Sequence, residues 1–303
     1  MVATLIATIP SSVHPGTSVV VADVDGWRVM HFLPDTDIEA EIAALTPATD
    51  HQTIMRWDST ATPPGPSPEH LRGTIMVRVL FGIVYQTMFL QYPPSEGTAC
   101  VVGLGGGALV HLLHGVFKGT MRVRAVELDQ AVATAAVQYF SLPIDREDIH
   151  VGDAAEYFAL SLEPSTVFAR VVLDLFGERP TREISNLEGP YCRTVVPPIL
   201  REESFYRSLR EHMLPSVGVL IVNFVITEPA VAKAWLDAMR AVFGKENMTL
   251  WFASQFQGVV MCVRREAGEP PRPSIGTPSD FAATCETFEK EVVKETLDLA
   301  KWI

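Results

Sequence analysis

Basic charge is what this 303-residue chain has least of: 24 lysine and arginine residues face 36 aspartate and glutamate, a formal net charge of -12 at pH 7. A nucleic-acid backbone is bound by a concentrated basic surface, so this balance excludes nucleic acid as the main partner and is compatible with a cationic acceptor. Cysteine is scarce. Cys100, Cys192, Cys262 and Cys285 show no paired metal-ligand spacing, and two of them lie in apolar, strand-like runs. Reduced thiols fit that pattern, and it supports neither a disulfide framework nor a metal site. Long apolar runs are missing too: the most apolar segment, residues 217 to 226, is strand-sized, far short of the roughly 20 residues a membrane-crossing helix needs. The opening Met-Val-Ala-Thr-Leu-Ile-Ala has neither the basic flank nor the sustained apolar stretch of a secretory signal. Together these absences lead to the expectation of a soluble, cytoplasmic protein with no membrane partner.

What is present is an ordinary globular composition, 48% hydrophobic and 20% charged, in a chain long enough for one large α/β domain and a smaller appendage. Residues 18 to 33 read as two β-rich arms around Asp25-Gly26, a hairpin signal, and a short helix candidate follows over 37 to 45. Five proline or glycine residues in the nine from Thr60 to Pro68 read as a linker. The expected division is therefore a small β-hairpin domain with its linker over 1–66 and a catalytic domain over 67–303.

A helix is expected from Pro68 to about Tyr92, stopped by Pro93-Pro94. Strands and helices then alternate: strand 99–103, helix 108–117, strand 122–126, helix 130–140, strand 149–151, helix 154–162 and strand 169–173. After a long connection over 175–200 come helix 202–213, strand 218–224 and helix 229–243. That alternation predicts a doubly wound, mostly parallel sheet of seven strands, Rossmann-like in plan. The last two β-rich runs, 249–254 and 258–264, are joined by only Gln255-Phe-Gln257, too short for a parallel crossover. They must pair antiparallel, as a C-terminal hairpin at the sheet edge. A second proline-rich stretch over 270–278 and a charged helix candidate over 279–302 close the chain, the latter started by Ser279.

The chemistry concentrates at three strand ends. Val101-Val-Gly-Leu-Gly-Gly-Gly107 runs an apolar strand into a glycine turn, where Gly103 and Gly105 let the backbone bend and approach a ligand closely. Ala108 is small enough for the next helix to pack on its strand. Glu127 ends the second strand 22 positions after Gly105 and is placed to accept ribose hydroxyls. Asp153 ends the third and could accept from an adenine amine, with the Ala154 amide facing the ring; as a bare turn residue it would only start the next helix. A dinucleotide uses the same turn and acid, but it needs room for a pyrophosphate, and a third strand closing in Gly152-Asp153 favours an adenosyl cofactor. The fourth strand ends in Asp174, beside the switch point where ligands bind in such sheets, and a carboxylate there can orient or deprotonate an attacking amine. Asn223 ends the fifth, as a substrate contact or as a buried structural amide. His111 and His114 share one helix without a further ligand, so no metal site is expected. Cys192 has no visible base partner.

With those residues in view, the chain resembles the spermidine-synthase-like class I methyltransferase superfamily. Its nearest likeness is to the C-terminal domain of the eukaryotic methyltransferase-like proteins that modify elongation factor 1 alpha. The resemblance covers about residues 18 to 265. It rests on Gly26-Trp-Arg-Val-Met-His-Phe-Leu33, Glu69-His70, the glycine turn, Ala125-Val-Glu-Leu-Asp129, Pro197-Pro198 with Glu203-Ser-Phe205, and Gly218-Val-Leu-Ile-Val-Asn223. It implies that Gly103, Gly105, Gly106, Glu127, Leu128, Asp153 and Ala154 hold S-adenosylmethionine, that Asp174 faces both cofactor and reacting centre, and that Glu69-His70 fold over the cofactor. A homodimer is a further implication. For the acceptor, Glu178, Tyr191 and Asn223 are the candidates, on and beside the long connection.

One departure divides the readings. Aminopropyltransferases of this superfamily carry an acidic residue directly after the three glycines and a second aspartate three positions after the first on strand four; this chain has Ala108 and Gly177 there, with Glu178 one step late. The expectation is methyl transfer to an amine of a protein. A polyamine aminopropyltransferase using decarboxylated S-adenosylmethionine, and a catalytically silent binding subunit, stay open as alternatives.

Overall fold

The computed structural model describes residues 3–36, 38–47, 52–62, 64–67, 80, 83–84, 87, 97–117, 121–175, 198–225, 229–252 and 257–266. Among the described residues, twelve strands fall into two sheets. The first is antiparallel, in the order β1 (Thr4–Pro10), β2 (Thr17–Val24), β3 (Trp27–Pro34), β4 (Thr53–Asp58) and β5 (Gly65–Pro66), with helix α1 (Ile38–Ala43) between β3 and β4. The expected hairpin is its centre: β2 and β3 pair from Thr17 with Pro34 to Val24 with Trp27, and Asp25 and Gly26 both take positive φ, as a tight two-residue turn requires. What the hairpin reading lacked is β1, which pairs along β2, and β4, which pairs with β3. The proline-rich stretch is not wholly irregular, since Gly65 and Pro66 pair with Asp58 and Trp57.

The second sheet has the order β11-β12-β10-β9-β6-β7-β8, built from β6 (Gly97–Val102), β7 (Met121–Glu127), β8 (Ile149–Val151), β9 (Arg170–Leu173), β10 (Val219–Val225), β11 (Met248–Phe252) and β12 (Gln257–Val263). The five strands β8-β7-β6-β9-β10 run parallel, while β12 lies antiparallel between β10 and β11. The short terminal link produces the antiparallel pair that its length demands. Helices α2 (Ala108–Val116), α3 (Gln130–Tyr139), α4 (Ala154–Glu156), α5 (Glu203–Glu211) and α6 (Pro229–Phe243) flank the sheet. The helix expected over 154–162 is α-helical only through Glu156, and Tyr157–Ser161 continue as a π-helical turn. Of the helix expected from Pro68 to Tyr92, Leu80, Ile83, Val84 and Thr87 are the residues described, all helical and buried, while the elements expected after residue 266 lie outside the described residues.

Strand alternation sorts the side chains into two layers. Ala99 and Val101 of β6, Val123 and Ala125 of β7 and Val172 of β9 face α2 and α3, whereas Cys100, Val102, Val126, Val171 and Leu173 face α4, α5 and α6. On the second face, Trp235 Nε1 donates to Tyr206 Oη (2.7 Å), which donates to the Leu200 carbonyl (2.9 Å), so the two largest polar-tipped aromatics of that core are buried with their polar atoms satisfied. The small sheet has no separate interior on its inner side: Val19, Val21, Met30 and Met55 join the same apolar cluster as β6, α2 and α3, while Val20, Ala22, Val24 and Val29 pack with Ile42 of α1. Arg28 extends the join, donating to the Tyr139 carbonyl at the end of α3 (2.9 Å) with its guanidinium 3.7 Å from the centre of the Trp57 ring. Cys100 and Cys262 are buried free thiols on β6 and β12.

Candidate cofactor and acceptor site

Parallel pairing carries past the ends of the strands and brings their tips together. The Gly103 amide donates to the Val126 carbonyl (2.9 Å), the Asp174 amide to the Val102 carbonyl (2.8 Å) and the Gly152 amide to the Glu127 carbonyl (2.9 Å). The tips of β6, β7, β8 and β9 therefore share one edge of the sheet. Gly103 has φ +89°, and a Cβ there would stand 2.2 Å from the Asp174 carbonyl oxygen, so this glycine is demanded by the neighbouring strand's backbone as much as by any ligand.

Glu127 lies against the glycine turn. Its Oε2 accepts from the amides of Leu104 (2.9 Å) and Gly105 (3.4 Å), and its Oε1 from the Asp129 amide (3.0 Å). Burial pushes its pKa up, and the three amide donors work against that shift. The glycine turn and the acid expected to share a ribose are thus in direct contact, and Oε1, which takes a single amide, keeps acceptor capacity beyond these bonds. Leu128 is 51% exposed and Val151 of the adjoining strand 38%, two apolar side chains left open at neighbouring tips. Asp153 Oδ1 caps α4 by accepting from Ala155 (2.7 Å) and Glu156 (3.3 Å), and Ala154 is buried beside it. The helix-starting role considered for Asp153 is present, and it engages one of the two carboxylate oxygens.

Across the glycine turn, Asp174 Oδ1 accepts from Asn223 Nδ2 at 2.7 Å. Burial pushes the Asp174 carboxyl up to about 6, with the Asn223 bond acting in the opposite direction. Asn223 is 2% exposed, so it is a buried amide, and its partner is the very carboxylate expected to meet the acceptor. Glu178, Tyr191, Cys192 and Glu69-His70 lie outside the described residues. His111 Nε2 donates to the Phe140 carbonyl (2.9 Å), and burial lowers its pKa to about 4, so it is a neutral structural residue. Among the described residues, no cluster of three or more histidine, cysteine, aspartate or glutamate side chains could hold a metal ion.

Three residues that the sequence did not single out, Ser11, Ser12 and Thr53, belong to this edge together with Asp129, which ends the Ala125-Val-Glu-Leu-Asp129 motif. Ser11 Oγ and Ser12 Oγ donate to the Asp129 carboxylate at 2.5 and 2.8 Å, and Thr53 Oγ1 of β4 accepts from the Gly106 amide at 2.7 Å. Only Asp129 carried a signal, as the residue that starts α3 by accepting from the Ala131 amide (2.8 Å). The others arrive from the small sheet, more than 50 residues away in sequence.

No protein-family profile matches the chain. Among solved structures it is similar to a probable spermidine synthase from Corynebacterium glutamicum, with a TM-score of 0.61 over 92% of this chain and 86% of that one, at 12% identity. It is also similar to human methyltransferase-like protein 13 in complex with SAH, with a TM-score of 0.51 over 70% of this chain and 89% of that one, at 22% identity. The chain has the class I methyltransferase fold. Within that fold the strand order and the antiparallel β12 are accounted for. Among curated proteins, the eEF1A lysine and N-terminal methyltransferase of Xenopus laevis is 27% identical over 153 residues. That stretch is 50% of this chain and 20% of the relative, so the chain spans about a fifth of the curated protein it matches. No helix among the described residues of this class I fold is long and apolar enough to cross a membrane.

Proposed function

We propose that this chain is an S-adenosylmethionine-dependent methyltransferase acting on an amine of a protein. The observation that carries the reading is the shared edge itself: Glu127 bound to the glycine-turn amides, exposed Leu128 and Val151 beside it, and the Asp174–Asn223 pair across the turn. The 27% identical relative, whose described targets are a lysine and an N-terminus, supports an amine of a protein as the acceptor. When bound, the cofactor supplies a methyl group on a sulfonium leaving group.

Glu127 would hold the ribose hydroxyls, with Leu128 and Ala154 flanking the adenine and Asp153 meeting its amine through the oxygen not engaged in capping. The glycine turn at Gly103, Gly105 and Gly106 would let the backbone itself lie close to the rest of the cofactor. The acceptor amine must arrive neutral, because only its lone pair can form the new nitrogen–carbon bond. Asp174, ionised at pH 7 with a pKa of about 6, can take the displaced proton, and Asn223 holds Oδ1 so that Oδ2 meets the acceptor. Lining up nucleophile and methyl carbon provides the rest of the rate. Glu178 and Tyr191 would contact the acceptor from the long connection.

Calorimetric titration with S-adenosylmethionine, its decarboxylated form and S-adenosylhomocysteine tests this reading, together with labelled methyl transfer into cell-extract proteins. Binding of the first and third with label entering protein is the expected result. A clear preference for the decarboxylated form, or absence of binding, overturns it. Glu127→Gln should weaken S-adenosylhomocysteine binding by about 10-fold or more, since hydrogen bonds to a charged group contribute about 1.5–3 kcal/mol.

A further inference from the structure

The small sheet reaches the glycine turn itself. Thr53, on β4, is 6% exposed, and its hydroxyl takes the Gly106 amide. The fit is close on both sides: a Cβ on Gly106 would stand 2.5 Å from Thr53 Cγ2, and one on Gly105 would stand 3.0 Å from Thr53 Oγ1. The second and third glycines of the turn therefore leave room for a threonine of another sheet. Every amide of the turn is thereby assigned, with Leu104 and Gly105 donating to Glu127, Gly106 to Thr53, and Gly107 to the Leu104 carbonyl (2.9 Å).

A second bond set from the same sheet reaches the acid. Ser11 and Ser12, in the corner between β1 and β2, hold the Asp129 carboxylate through both hydroxyls and the Ser12 amide (3.0 Å), while Ser12 Oγ also accepts from the Gln130 amide (3.0 Å). Burial pushes the Asp129 carboxyl up, but the Ser11, Ser12 and Ala131 donors outweigh it and hold its pKa below the ordinary value. The Asp129 amide in turn donates to Glu127 Oε1. One sheet thus holds both the glycine turn, through Thr53, and Asp129, through Ser11 and Ser12.

We propose that Thr53 is a positioning residue for the adenosyl cofactor: by holding the Gly106 amide it keeps the Leu104 and Gly105 amides aimed at Glu127, and the small sheet thereby sets cofactor affinity. The cofactor half of this statement rests on the function proposed above; the ordering of the turn does not. The chemistry specifies a hydroxyl. Valine has nearly the shape of threonine but would leave the Gly106 amide buried without an acceptor, whereas serine keeps the acceptor and loses only the methyl contact.

The test compares Thr53→Val and Thr53→Ser with the parent chain in two measurements. In the unliganded protein, amide hydrogen exchange at Gly106 should accelerate by about 10-fold or more in Thr53→Val and stay within about 3-fold in Thr53→Ser. In calorimetry at a temperature well below unfolding, Thr53→Val should bind S-adenosylhomocysteine about 10-fold more weakly, with Thr53→Ser restoring affinity to within about 3-fold. Unchanged Gly106 protection in Thr53→Val overturns the proposal, as does equal loss in both variants, which would mean that the hydroxyl is not the deciding group. If the parent chain binds no S-adenosylhomocysteine, the proposed function falls while the exchange measurement still decides the role of Thr53. Should Thr53→Val fail to fold, Thr53→Ala, which introduces no atom, should show the same faster exchange and weaker binding.

Discussion

Asp174→Asn is expected to lower methyl transfer by about 100- to 10,000-fold, the range a positioned proton acceptor contributes, while the protein still folds and still binds S-adenosylhomocysteine. Asparagine keeps an oxygen for the Asn223 donor, so the buried contact survives and only the base is lost. The parent chain's proposed methyl transfer should fall as pH drops through about 6, because the carboxylate becomes protonated. Stability should move the other way. The folded pKa lies above the ordinary value of 3.8, so between pH 3.8 and about 6 the folded protein holds a proton that the unfolded chain releases. The neutral acid contributes fully below pH 3.8, and that contribution is lost as pH rises through about 6. At pH 8 the buried carboxylate therefore costs on the order of 2–3 kcal/mol, and Asp174→Asn should be more stable than the parent by up to that amount. Urea midpoints at pH 8 and pH 4 read the difference: a gap at pH 8 that closes at pH 4 is expected. A variant less stable than the parent at pH 8 would mean that the charge is compensated where no such partner is described. Gain of stability with loss of activity is the signature of a group whose burial serves chemistry.

Gly103→Ala should be the most damaging single methyl in the described chain. The added carbon meets the Asp174 carbonyl at 2.2 Å, an obstacle of backbone atoms that no rotamer can relieve, at a φ of +89° that L side chains rarely adopt. Either β9 draws back from β6 or the turn refolds, and both routes break the edge where Asp174 and Glu127 meet. The expected cost exceeds about 4 kcal/mol, a magnitude that only a few mechanisms reach, and S-adenosylhomocysteine binding should be lost with it. Gly115→Ala supplies the contrast. That glycine sits inside α2 with nothing within 4 Å of the new carbon, so alanine should stabilise by about 0.5–1 kcal/mol. Chemical denaturation of the two variants measures both signs. Equal stability for Gly103→Ala and the parent chain would show that the two strand tips do not approach as described.

Much of the α/β layout was legible because burial imposes period and length on a strand. β8 falls at residues 149–151 as expected, and α6 at 229–243, since a parallel sheet covered on both faces needs short apolar runs spaced by helices. The weak points were strands with a mixed surface. β1 has no buried residue and β4 has two, Thr53 and Met55, so neither offered a clear alternation. Arg170 is the opposite case. A single cation in the strand Arg170-Val-Val-Leu173 gives no hint in sequence that it is fully buried, yet its guanidinium donates to Thr87 Oγ1 (2.8 Å) and to the carbonyls of Ala169 (2.6 Å), Val217 (3.0 Å) and Thr87.

The amino-acid order alone determined which residues share the strand-tip edge, because in a parallel sheet each apolar run must end at the same edge, and the residues following it, Gly103, Glu127, Asp153 and Asp174, are thereby brought to one line. It also determined the antiparallel β11–β12 pair, since the residues between the two strands cannot cross over. Tertiary structure alone decided what those tips touch. That Asp174 titrates near 6, that Asn223 is its partner, and that Thr53, Ser11 and Ser12 hold the glycine turn and Asp129 are consequences of burial and of contacts between residues up to 118 positions apart. Local sequence constrains the path of the backbone over a few residues; the dielectric around a carboxyl and the acceptor for a buried amide depend on whatever the rest of the fold packs against them.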